Sequence, residues 1–330
     1  MAIIEVKNLT KIFKKPIRED GLRGMLRSLF SRKYDEVRAV DGVSFDIEKG
    51  EIVGYIGANG AGKSTTVKMM CGILHPTSGS VTVDGMGFAR DRKKINRRMG
   101  VVFGQKTQLW WDIPLIETFR ILKSIYEIDD VEFEERFNYL CDLLDMRPFL
   151  SQTVRSLSLG QRMRADFAAA LIHSPSIVYL DEPTIGLDVL VKDKIRHAIR
   201  EMNRRYNVTV ILTTHDMKDI EELCNRIIII DKGRILYDGS LADIKYRFGH
   251  TKRIFIPANT PLDREELARR FEGAMAVDVE TETVITFSQD RVNVDEMLLY
   301  LIGECHARDF KIEDVSIEDV TKELYEKNEK

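Results

Sequence analysis

The 330-residue sequence predicts an α/β domain built on a largely parallel sheet, followed by a small α+β domain, and three observations carry that prediction. From Ile52 to about Phe248, short β-rich apolar runs alternate with amphipathic helical stretches. One of those runs leads directly into a glycine-rich loop and then a helix. After Gly249 the pattern becomes strand, helix, strand, strand, helix, strand.

Taken in chain order, Ile3–Val6 and the VDGVSFDIEKG stretch read as an antiparallel layer beside the main sheet. Parallel strands are expected at Ile52–Ile56, Val101–Phe103, Ile177–Leu180, Val208–Thr213 and Ile227–Ile230. Helices are expected at Thr65–Ile73, Leu115–Glu127, Phe133–Leu144, Arg162–Ile172, Leu190–Arg205 and Met217–Cys224. In the second domain, strands at Arg253–Ile256, Ala276–Glu280, Val284–Phe287 and Phe310–Val315 alternate with helices at Asp263–Phe271 and Val294–Ile302. That βαββαβ order is the ferredoxin-like arrangement. The expected boundaries are 1–248 and 249–330, with a helical subdomain at about 106–160.

A composition that is 44% hydrophobic supports buried cores without staples. Cys71, Cys141, Cys224 and Cys305 are far apart, with no zinc or CxxC spacing, so they read as buried hydrophobes of a reducing compartment. The opening MAIIEVKNLT lacks the pattern of a secretory signal, and no apolar run is long enough for a spanning helix. Any membrane activity is therefore expected to come from another chain. A formal charge of −3 argues against a nucleic-acid binder.

The strand EIVGYI runs into Gly57-Ala58-Asn59-Gly60-Ala61-Gly62-Lys63-Ser64 and a helix beginning near Thr65. This is a P-loop in its required context. Glycines let backbone N–H groups close around phosphate oxygens, and the helix N-terminus adds its positive end. Lys63 is placed to reach the outer phosphates of ATP, and Ser64 to offer a hydroxyl to Mg²⁺. The buried strand IVYL delivers Asp181 and Glu182 at its C-terminal end, where open α/β sheets bind ligands. Asp181 suits Mg²⁺ as a hard oxygen ligand. Glu182 suits the attacking water as general base.

Over residues 3 to 248 the sequence resembles the ABC ATPase family. Leu157-Ser158-Leu159-Gly160-Gln161 resembles the family signature LSGGQ, Gln105 the Q-loop, Gly186-Leu187-Asp188 the D-loop and His215 the switch histidine. The resemblance implies a P-loop NTPase fold of ABC type and an ATPase using ATP and Mg²⁺, with Ser64, Asp181 and Gln105 around the metal. It implies nucleotide binding by Phe13, Gly57, Asn59, Gly60, Ala61, Gly62, Lys63, Ser64 and Thr65. It also implies a head-to-tail dimer in which Leu157, Ser158, Gly160 and Gln161 of one copy complete the other's site. Leu159 departs from the family, standing where the signature has its first glycine. Phe13 sits where the family stacks an aromatic on adenine; a core aromatic is the other reading. His215 reads either as a strand-end structural histidine or, in its TTHD context, as a γ-phosphate contact.

Three features lie beyond the motifs. An insertion at about 14–38 carries eight basic and four acidic residues, with Leu22, Met25, Leu26, Leu29 and Phe30 at helical spacing. It is expected either on an anionic membrane or membrane partner, or packed on its own domain. Trp110 and Trp111 follow the Q-loop, and alternation leaves one of them near the surface, where the resemblance places a membrane subunit's coupling helix. The closing IEDVSIEDV resembles C-terminal extensions of multidrug and antibiotic-export ATPases, which assist dimerisation. The resulting expectation is an export-type subunit on the cytoplasmic face of the membrane, working through separate permease chains. An importer subunit and a soluble ABC ATPase acting on ribosomes or DNA are the alternatives.

Overall fold

The structure is a computed structural model that describes residues 2–16, 34–104, 106–248, 251–314 and 317–329. The amphipathic helix expected across Leu22–Phe30 and the Q-loop residue Gln105 lie outside the described residues. Two compact units divide the chain, Met1–Gly239 and Ser240–Lys330.

The first unit opens with β1 (Ala2–Pro16) and β2 (Tyr34–Glu48), then β3 (Ile52–Gly57), α1 (Lys63–Met70), β4 (Ser78–Val83) and β5 (Met86–Gly87). There follow α2 (Phe88–Asn96), β6 (Met99–Phe103), α3 (Leu115–Tyr126), α4 (Asp130–Leu143) and α5 (Leu159–Leu171). The unit closes through β7 (Ile177–Asp181), α6 (Val189–Tyr206), β8 (Thr209–Thr213), α7 (Met217–Leu223), β9 (Arg226–Asp231) and β10 (Arg234–Ser240). One sheet has the order β10-β9-β3-β8-β7-β6, and β9, β3, β8, β7 and β6 pair in parallel. The other has the order β2-β1-β4-β5 with antiparallel pairing.

The reason for this division is visible in the strands. Residues Ile52 to Ile56 and Ile227 to Asp231 are buried throughout, as strands covered on both faces must be. In β2 burial alternates from Val43 onward, so only one face is covered. Ile4, Val43 and Val83 of the antiparallel layer join Tyr55, Tyr179 and Ile228 of the parallel sheet in one buried cluster. Pairing of β1 with β2 continues as far as Pro16 opposite Tyr34. Residues 14–16 and 34–38, expected within the insertion, are therefore strand. Main-chain pairing overrides their polar composition there.

Helix ends follow local capping more closely than apolar periodicity. The helix expected at Arg162 starts at Leu159, because Ser158 and Gln161 form a reciprocal capping box. The helix expected at Phe133 starts at Asp130, because Asp129 accepts from the backbone N–H groups of Val131 and Glu132. All four cysteines are buried and free.

The second unit comprises α8 (Leu241–Phe248), β11 (Thr251–Pro257), α9 (Arg264–Arg270), β12 (Met275–Val279), β13 (Glu282–Ser288), α10 (Val294–Gly303), β14 (Lys311–Asp314) and α11 (Ile317–Glu329). Its sheet order, β12-β13-β11-β14, is antiparallel at every pair and is the ferredoxin-like arrangement. Ile254, Ile285 and Phe287 bury one face against Leu267, Met297 and Leu301. The units part at Gly239 and Ser240, ahead of the expected 248/249, because α8 packs on the C-terminal α11.

Candidate functional site

Strand β3 ends on Gly57, and the chain turns through Gly60 (φ +84°) and Gly62 (φ +106°) before α1 begins at Lys63. Both φ values lie in the left-handed region, where glycine alone is unstrained. At Gly62 a β-carbon would sit 2.3 Å from the Ala39 carbonyl oxygen. At Gly57 it would sit 2.5 Å from that of Ile230. At both positions the loop packs directly on neighbouring backbone, which leaves no room for a side chain.

Beside the loop is a cleft of about 410 Å³ lined by Ala58, Asn59, Gly60, Gly62, Lys63, Ser64 and Thr65 on one side and Glu182, Ile185 and His215 on the other. Ala61, expected among the binding residues, is buried, and its carbonyl accepts from Gly233 N–H. Lys63 Nζ donates to the Gly57 carbonyl at 2.6 Å and to that of Ala58 at 3.2 Å. Burial pulls the Lys63 ammonium below its ordinary range, while Glu182 and Asp181 oppose that shift.

Strand β7 supplies the acidic pair. Asp181 Oδ1 accepts from Thr213 Oγ1 at 2.5 Å and from Ser64 Oγ at 3.3 Å. A hydroxyl and a carboxylate of this kind are the hard oxygen donors that Mg²⁺ takes when phosphates and water complete its shell. One residue on, Glu182 stands at φ +57°, a conformation uncommon for a side chain of its size. Its Oε1 lies 3.1 Å from His215 Nε2, at the end of β8. Burial raises the Glu182 carboxyl above the usual carboxylate range, with His215 and Lys63 acting against the shift. Such a rise moves a carboxylate toward the pH at which a general base works best. Gly104 packs on this turn so closely that a β-carbon would sit 2.1 Å from the Glu182 carbonyl oxygen.

Ser158 and Gln161 cap α5 through Ser158 Oγ and Gln161 Oε1, and Ser158 is exposed. Leu157, in contrast, buries its side chain in its own unit. Leu159 is the first helical residue, with φ outside the left-handed region, so this position does not need glycine's conformational freedom. The Leu159 side chain is exposed and lies beside Gly186 of the D-loop. Asp188 caps α6 by accepting from Val191 N–H at 2.9 Å. Phe13 is exposed on β1 under the Lys11 ammonium, so the core reading fails; it does not line the P-loop cleft.

Both tryptophans are exposed, Trp110 at 40% and Trp111 at 48%, so the expected surface tryptophan is present and its neighbour joins it. They sit in a loop ahead of α3, outside regular structure, so alternation does not apply. The Arg162 guanidinium covers Trp111 at 4.5 Å from the ring centroid.

Sequence reasoning missed Asp166 on α5. It is buried and accepts from Thr107 Oγ1 at 2.9 Å and Gln108 N–H at 3.0 Å, tying the signature helix to the segment after the Q-loop. Burial pushes its carboxyl up from 3.8 to about 6. A raised carboxylate costs stability as pH rises from the unfolded value through the folded one. The expected outcome is that wild type loses stability relative to Asp166→Asn between pH 3.8 and about 6, by roughly 3 kcal/mol. Thermal unfolding of both proteins across that range checks it, and parallel pH profiles would refute it.

A P-loop cleft facing a strand-end Asp-Glu pair, with a capped helix presented at the surface, defines a nucleotide-binding cassette. The model of the ABC transporter family matches residues 40–185. The sequence is 35% identical over 215 residues to the ABC transporter ATP-binding protein NatA of Bacillus subtilis, spanning 65% of this chain and 87% of that one. It is 32% identical to the linearmycin resistance ATP-binding protein LnrL of the same organism, spanning 66% and 70%. It is 31% identical to the methionine import ATP-binding protein MetN 2 of Bacillus cereus, spanning 66% of this chain and 65% of that one. A dimeric ATP-binding cassette in a post-hydrolysis state with ADP and Pi superposes with a TM-score of 0.61 at 26% identity, covering 72% of this chain and 98% of that one. The chain belongs to the ABC transporter ATP-binding family and is an ATP-hydrolysing subunit of a transporter.

Proposed function

We propose that this subunit energises export through separate membrane-spanning permeases, working as a dimer at the cytoplasmic face of the membrane. The observation that carries the catalytic part is the 3.1 Å approach of Glu182 Oε1 to His215 Nε2 on the side of the cleft opposite the P-loop. In this reading Glu182 accepts a proton from the attacking water, and His215 donates toward the γ-phosphate. Lys63 and the backbone N–H groups of the α1 N-terminus bind the phosphates. Ser64 and Asp181 hold Mg²⁺, joined by Gln105; the ion supplies positive charge to the phosphate oxygens. Phe13 contributes an exposed face for adenine stacking.

Ser158, Gly160 and Gln161 open α5 at the surface, where the positive end of the helix dipole is presented. They serve the γ-phosphate of the partner copy's ATP. Export is favoured by the relative named for antibiotic resistance. Import is the second reading, favoured by the methionine-import relative of similar identity. No helix among the described residues is long and apolar enough to cross a membrane, in keeping with separate permeases.

Pull-down of tagged Glu182→Gln chain in detergent with ATP and Mg²⁺, followed by mass spectrometry, tests this reading. Co-purification of multi-span proteins is expected; recovery of only ribosomal or DNA-associated proteins would overturn it. Trp111→Ala is expected to weaken assembly with the permease about tenfold or more while ATP affinity stays unchanged, since exposed tryptophans are favoured interface anchors. Equal permease recovery with mutant and wild type would remove that role.

A further inference from the structure

Behind the nucleotide cleft, four side chains from separate elements meet in the interior of the first unit. Asp219 on α7 is fully buried, and Arg196 on α6, Thr184 and Thr214 are each at most 2% exposed. Asp219 Oδ2 accepts from Thr184 Oγ1 at 2.5 Å and from Thr214 Oγ1 at 3.2 Å. Asp219 Oδ1 accepts from Arg196 Nε at 2.6 Å. The guanidinium also reaches Asp193 at 2.9 Å and Asp216 at 3.4 Å, and Lys192 binds Asp216 at 2.7 Å.

The placement of the donors matters. Thr184 stands two residues beyond Glu182, and Thr214 immediately precedes His215. Arg196 lies on the helix that Asp188 of the D-loop caps. A single buried carboxylate therefore gathers the two strand-end turns that carry the facing groups of the site, together with the helix that follows the D-loop. Glu182 is held at φ +57°, and a strained backbone of this kind persists only where the surroundings over-determine it. Thr184 Oγ1 is a donor that anchors this turn from its far side.

We infer that Asp219, acting through Thr184 and Thr214, is a positioning residue for ATP hydrolysis. It fixes the separation of Glu182 and His215 without touching nucleotide. The Arg196 guanidinium pairs with the carboxylate and holds it turned toward α6, and a buried carboxylate needs such pairing and hydrogen bonding. This inference rests on the role of Glu182 given above.

The test uses Thr184→Val, which removes the hydroxyl at nearly constant volume, and Thr184→Ser, which keeps it. Both are made in wild type and in Glu182→Gln, in the full chain purified with its native membrane partners. Turnover of Thr184→Val at saturating MgATP is expected to fall about 10- to 100-fold, the scale of small misplacements of a reacting group. ATP affinity should stay within about twofold, and Thr184→Ser should recover most of the turnover. In the Glu182→Gln background, Thr184→Val should cause no further loss, because its effect passes through Glu182.

Wild-type turnover by Thr184→Val, or an additive loss in the slow Glu182→Gln background, overturns the inference alone. Wild-type turnover by Glu182→Gln overturns the inference together with the role of Glu182. Should Thr184→Val not fold, Asp219→Asn carries the same comparison: it keeps one acceptor oxygen and removes the charge that turns toward Arg196.

Discussion

Glu182→Gln is expected to slow ATP turnover by about 10² to 10⁴ while ATP still binds. Gln preserves the shape of the side chain and an oxygen near His215, and removes only the capacity to take a proton. Burial already raises this carboxyl above its ordinary range, so proton acceptance is matched to neutral pH better than at an exposed glutamate. The measurement is steady-state hydrolysis by the native complex, with nucleotide retention read in parallel. Wild-type turnover by the variant would assign the base elsewhere. Retained ATP with slow turnover would also favour the closed dimer and make the variant the natural bait for partner capture.

Lys63→Ala is expected to act on binding itself. The ammonium hydrogen-bonds to loop carbonyls at the floor of the cleft, one residue after Gly62, where α1 begins. A hydrogen bond from a charged donor contributes about 1.5–3 kcal/mol, so removal should weaken ATP affinity roughly 10- to 150-fold. Titration calorimetry of the full chain with ATP measures this directly. An affinity within about twofold of wild type would mean that the backbone N–H groups alone carry the phosphates.

These two residues differ in how the sequence exposed them. Lys63 and its glycines form a contiguous run whose function is local: left-handed glycines, a helix N-terminus and one cation, all within eight residues. Asp181 and Glu182 were readable because an apolar strand ending in carboxylates has few uses beside a P-loop. The helix that starts at Leu159 was mislocated by three residues, because periodicity marks a buried face and says little about which polar group caps the end. Alternation brings one of Trp110 and Trp111 to the surface; the loop they occupy exposes both.

The βαββαβ order of the second unit was equally readable, through alternation in β11 and β13. The helices α8 and α11 escaped notice because their sequences are short or highly charged, and α8 joins the second unit by packing on α11.

By itself, then, the sequence determined the parts: which loop is a P-loop, which strand carries the carboxylates, and that the chain is an ABC-type ATPase. Only the tertiary structure decided how those parts face one another. The order β3-β8-β7 sets Glu182 beside His215, 33 positions apart, and lets Asp219 reach Thr184 across 35. Gly104 is required because the Glu182 carbonyl lies over it, and Asp166 has meaning only because Thr107 comes to it. The physical reason is the range of the information. Propensity, capping and loop chemistry act over a few residues, whereas strand order is selected by the burial of whole apolar faces, which no short window of sequence records.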